Sequence, residues 1–177
     1  MKKFVIAAAL GASSLLAQDA LSTEAKQAWN RTKGNLIGAA EKMDEANYDF
    51  KPSAESQSFK VLVAHTADSA MGTCSAYNGE AKKLGAADKT TKAELIEALK
   101  TGLAECDTAF GTLTDAKATE MIASRGGQRS RLGVLYGNTI HLEHEYAQMA
   151  VHLRLKAVVP PSSEGRGAGG KGGGKKQ

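Results

Sequence analysis

Residues 138–156, NTIHLEHEYAQMAVHLRLK, contain no glycine or proline and return apolar side chains at helical spacing. At about 100° per residue, with His141 set to zero, Leu142, Met149, Leu153 and the preceding Leu135 fall between about +80° and +120°. That stripe predicts a long amphipathic helix, from about Ser130 to Val158, stopped by Pro160 and Pro161. The same stretch holds three of the chain's four histidines. Glu145, at about +40°, continues the flank that His141 begins, so one ion could bridge this i, i+4 pair. His144 falls at about −60° and is expected in solvent. His152 lies at about +20° but about 16 Å further along the axis, too far to share an ion with His141. It reads as a packed histidine.

Outward from this helix, glycine and proline mark off three more helical stretches. The first spans about Thr23 to Ala46, with Trp29, Leu36, Ile37, Ala40 and Met43 recurring at threes and fours, and NYDFKPS ends it. The second spans about Ser58 to Tyr77, with Phe59, Leu62, Ala70 and Tyr77 on its apolar side. The third, TKAELIEALKTGLAECDTAFGTL, opens with Thr91 and Glu94 at capping-box spacing. A polar connection containing Gly126 and Gly127 leads to the last helix, and no stretch alternates cleanly enough to read as a strand. The expected class is all-α, a four-helix bundle, an architecture that builds metal sites from side chains on facing helices.

The two ends read differently. MKKFVIAAALGASSLLA places two lysines before an apolar run and then small residues, the layout of a secretory signal peptide over residues 1–17. The apolar run is too short for a transmembrane span. Residues 164–177, EGRGAGGKGGGKKQ, lack apolar side chains to bury and read as a disordered, solubilising tail. What remains, residues 18–163, is one domain with room for a core. Of the 23 Lys and Arg, 17 fall in that span, against 18 of the 19 Asp and Glu. The domain therefore carries −1, and the basic pI is no case for nucleic-acid binding. Cys74 and Cys106 are the chain's two cysteines. In an exported protein such a pair is compatible with a disulfide, and equally with two buried thiols.

His65, in SFKVLVAHTADSA on the second helix, borders that helix's buried side, with Leu62 and Phe59 at about +60° and +120° from it. HEYAQ is not the zinc-protease HExxH, because Gln148 occupies the second histidine's place. No GxSxG is present, and Cys74 lies near 180° from His65, so a Ser or Cys hydrolase has no support.

Trp29 on an early helix, then YDFKP, then SFKVLVAHTAD, then a late helix ending HLRLKAVVPPSS, resemble in order and spacing the DinB/YfiT-like superfamily of four-helix-bundle metalloenzymes. The resemblance covers nearly all of residues 23–163. It implies a divalent metal, commonly zinc or nickel, held by a histidine on the second helix and an HxxxH pair on the last. His65 and His141 match the first two of these, and the third position falls on Glu145. Two imidazoles and a carboxylate carry one more negative charge than three imidazoles and also admit iron or manganese. They leave a coordination place open, as in catalytic zinc sites.

The resemblance implies a metal-dependent transferase or hydrolase acting on a small molecule, with a thiol as one choice and a homodimer allowed, and the layout of residues 1–17 adds export to that expectation. The competing expectation is a non-catalytic bundle that binds a ligand or partner or is stabilised by its metal, with a metal-free form allowed. Asp68, one turn beyond His65, reads either as a support to the site or as a solvated surface aspartate.

Overall fold

The structure, a computed structural model, describes residues 19–164. The signal-peptide reading of residues 1–17 and nearly all of the 164–177 tail lie outside the described residues. Four long helices, α1 (Ala20–Lys42), α2 (Phe59–Tyr77), α3 (Lys92–Thr112) and α5 (Arg131–Leu155), form the expected all-α bundle. A single turn of helix, α4 (Asp115–Ala118), and a hairpin of β1 (Met121–Ser124) and β2 (Gly127–Ser130) join α3 to α5. No described helix is long and apolar enough to cross a membrane.

Both α1 and α2 pack on α3 and on α5, so α1 and α2 stand at opposite corners. The segment from Met43 to Ser58 crosses between those corners. One core runs through the bundle, with Trp29, Leu36, Leu62, Leu99, Leu103, Leu135, Leu142 and Met149 all buried. Trp29 stacks on Phe110 at 5.2 Å between centroids, and its Nε1 donates to Asp107 at 2.8 Å, so the indole is buried with its polar atom satisfied. Between α2 and α3 the backbones approach so closely that a Cβ on Gly102 would collide with the Ala67 carbonyl. Cys74 and Cys106 join these same two helices as a disulfide, with their Cα atoms 4.9 Å apart.

Local chemistry sets the helix ends. Thr91 and Glu94 make the predicted capping box at the start of α3. The Ser130 hydroxyl accepts from Gly133 N–H and starts α5. Two ends differ from the sequence reading. The first helix stops at Lys42 rather than Ala46: Met43 turns extended to bury its side chain, and Glu45–Asn47 winds into a separate 3-10 turn. The last helix stops at Leu155 rather than Val158. Val158 N–H reaches back to Leu153 and Ala157 N–H to Arg154, a Schellman closure with Ala157 at φ 58°. Alanine is strained in that left-handed region. Ala157→Gly is therefore expected to raise stability by about 0.5–1 kcal/mol, read as a higher urea midpoint at unchanged slope.

The hairpin corrects the expectation that the chain has no strand. Its strands are four residues each, and β2 is Gly-Gln-Arg-Ser, with no β-branched or aromatic side chain to alternate. Arg125 and Gly126 form its two-residue turn, which requires Gly126 at φ 89°.

Candidate metal centre

The contact of α2 with α5 brings His65 across to His141 and Glu145. His65 Nε2 lies 3.2 Å from His141 Nε2 and 3.8 Å from Glu145 Oε1. The His141 ring offers its Nδ1 to the same carboxylate oxygen, at 3.9 Å. One donor atom on each of the three side chains lies within 4.8 Å of the other two. Burial is graded across the cluster: His65 is 49% exposed, His141 39% and Glu145 6%. The site is closed at its carboxylate and open at its imidazoles.

Glu145 is the unusual member. A buried carboxylate ordinarily has a lysine, an arginine or several N–H donors beside it. Here Oε2 receives only the Gln148 side-chain amide at 3.3 Å, while Oε1 faces the two rings. Gln148, one turn beyond Glu145, thus orients the carboxylate. The Glu-x-x-Gln spacing in the sequence carries that signal, since it sets the two side chains one helical turn apart.

Such a donor set fits a divalent ion. Donors about 2.0–2.2 Å from a tetrahedral ion stand about 3.3–3.6 Å apart. The two Nε2 atoms, 3.2 Å apart, stand close to that spacing, and Glu145 Oε1 is 3.8 Å from His65 Nε2; with one atom from each residue all three lie within 4.8 Å, so the set closes by up to about an ångström around an ion.

The remaining candidates fall where the helical phase puts them, with one exception. His144 is exposed, away from the cluster. His152 is buried, its Nδ1 2.9 Å from the Gln148 carbonyl and its Nε2 3.1 Å from that of Gln57. Each ring nitrogen lies beside a carbonyl oxygen, and through the one at Gln57 the ring stands between α5 and the chain entering α2. Asp68 is the exception. It neither supports the cluster nor stands free, because its carboxylate accepts from the Ala86 and Ala87 amides and fixes the turn before α3.

A family model described as the DinB superfamily matches residues 28–149. Among solved structures, a DinB-like protein from Bacillus cereus ATCC 10987 superposes with a TM-score of 0.66 at 14% identity, covering 78% of this chain and 95% of that one. A DinB-like protein from Bacillus subtilis gives 0.61 at 20% identity, over 76% of this chain and 92% of that one. A conserved protein from Enterococcus faecalis gives 0.61 at 15% identity, over 78% and 98%. These likenesses establish a shared fold. Nothing among the curated proteins matches the chain.

Proposed function

The chain belongs to the DinB superfamily, and from that premise we propose that it is an exported, divalent-metal-dependent transferase or hydrolase whose ion is held by His65, His141 and Glu145. The observation that carries this reading is the buried Glu145 carboxylate, which faces two imidazoles and, among the described residues, no lysine or arginine. A divalent cation between the three offsets the cost of that buried charge. Zinc or nickel is the ion the resemblance implies, and the mixed nitrogen and oxygen donors admit iron or manganese as well.

When bound, such an ion supplies a Lewis acid that lowers the pKa of a coordinated water or thiol. The chain's own side chains do the rest. Glu145 and Gln148 fix the inner wall, and the half-exposed His65 and His141 leave the outer side open to a small molecule. Protein purified without chelator is expected to carry about one divalent ion per chain by elemental analysis. It should speed thioether formation between a small thiol and an electrophile, or hydrolysis of an activated ester, and lose that activity on chelation. An ion bound with neither activity would favour the non-catalytic bundle.

Export is supported by the lysine, apolar and small-residue layout of residues 1–17 and by the Cys74–Cys106 bond, which suits an oxidising compartment. N-terminal sequencing of the native protein is expected to begin near Gln18. Recovery of intact Met1 from the soluble cytoplasm would contradict it.

A further inference from the structure

Beside the His65–His141–Glu145 cluster lies a trough that the metal reading does not use. It consists of two adjoining hollows, of about 340 and about 280 Å³, between α2 and the hairpin. Thr73, Ser124, Arg125 and Val134 line both hollows, and the second ends at His141. Along α5, Gly133, Gly137, His141 and Glu145 follow one another at intervals of four, on one line of the helix.

The two glycines at the head of that line make a seat for Arg129. Its guanidinium donates to the Gly133 carbonyl at 2.7 Å. It also packs close over the bare backbone of Gly137, where a Cβ would stand 3.0 and 3.1 Å from its two terminal nitrogens. Arg129 is thereby held about one helical turn, about 5.4 Å, short of His141. Arg125, at the hairpin turn, lines the same hollow. Neither arginine has a carboxylate partner among the described residues. Asn138 lines it too, though it is only 5% exposed. Its Nδ2 rests 3.5 Å from both cysteine sulfurs, and its Oδ1 has no hydrogen-bond partner. Asp68, at the far end of the first hollow, turns its carboxylate to the Ala86 and Ala87 amides.

We infer that this trough is an anion subsite and that the substrate is a small organic acid. Its carboxylate would lie on Arg129 and Arg125, and its reacting end would reach the His65–His141–Glu145 cluster. The planar fork of a seated guanidinium matches a carboxylate, and the glycines fix its direction before the ligand arrives. The reacting end rests on the metal reading; the anion end does not.

The test compares 3-mercaptopropionate with its uncharged counterpart 3-mercaptopropanol by equilibrium dialysis on the zinc-loaded protein at low salt. The acid is expected to bind about tenfold tighter or more, as for a charge-assisted hydrogen-bonded pair. Arg129→Gln should bring the two thiols to within about twofold. Gly137→Leu keeps the charge and gives the helix a better former, yet extends a side chain into the space the guanidinium takes, so it should cut the preference several-fold. Zinc content should stay the same in both variants. Equal binding of the two thiols by the unaltered protein, or a preference that survives in both variants, would overturn the inference. Succinate on metal-free protein reads the anion end alone. If it binds through Arg129 in a protein that takes no zinc, the metal reading fails and the subsite stands. If zinc binds but charge makes no difference, the subsite fails and the metal reading stands.

Discussion

Glu145→Ala is expected to strip the protein of its divalent ion, while His144→Ala leaves one ion per chain. Adjacent positions on a helix point about 100° apart, so only one of this pair can continue the flank that His141 begins. The structure buries Glu145 against both imidazoles and exposes His144. Loss of an outer hydrogen-bond partner typically costs metal sites about 10- to 100-fold in affinity, and loss of a donor atom should cost more than about 100-fold. Glu145→His should restore tight zinc binding as a three-imidazole set.

The same carboxylate has an opposite effect when no metal is supplied. Glu145→Gln keeps its shape and its neighbour Gln148 while removing a buried charge that no cation faces. In chelator-treated protein it is expected to be as stable as the parent, or more so. Zinc at about 1,000 times its dissociation constant should stabilise the parent by about 4 kcal/mol and this variant hardly at all. Differential scanning calorimetry with and without zinc reads both signs in one experiment. A variant that melts lower without metal and gains as much from zinc would mean that Glu145 serves the fold and not the ion.

The second large effect belongs to the disulfide. Cys74 and Cys106 are 32 residues apart in sequence, and their bond ties α2 to α3 across the core. A loop of that length stabilises by about 3–4 kcal/mol in the chain-entropy model. Replacing both cysteines by alanine should therefore lower the melting temperature by roughly 6–16 °C. It also removes the two sulfurs against which Asn138 rests, which adds to the loss. A reductant should lower the parent's melting temperature towards that of the double variant and leave the variant unmoved. A fall of only a degree or two in either case would show that packing between α2 and α3, not the bond, holds these helices together.

The sequence carried the bundle because its four helices are long, and a 3.6-residue period persists over many turns in each. It carried the phase of the site for the same reason. Four residues of helix are too short for error to accumulate, so Glu145 inside and His144 outside followed from Leu142, Met149 and Leu153. Helix ends were less readable. Pro160 marks where α5 must have stopped, but the Ala157 closure ends it earlier, and alanine is a poor advertisement for a left-handed residue. The hairpin escaped because four polar residues give no alternation to detect, although Gly126-Gly127 between two short runs was a cue.

The fate of the cysteines could not be read from one helix alone. Cys74 lies opposite His65 on α2, and the phase of one helix does not say which neighbour that side meets. Yet α2 packs on α3 with one side and on α5 with the other, so opposite sides of it both meet neighbours. Arg129 was invisible for a related reason. Its seat is made by two glycines on the next element, and no local pattern announces that a guanidinium packs close over their bare backbone.

The most direct test is a crystal structure of the zinc-loaded protein with an anomalous difference map at the zinc edge. One peak is expected between α2 and α5, about 2.0–2.2 Å from His65 Nε2, from one ring nitrogen of His141 and from a Glu145 carboxylate oxygen. A peak at His144 or His152, or no peak between the two helices in crystals grown with excess zinc, would contradict the assignment of the metal to these three residues.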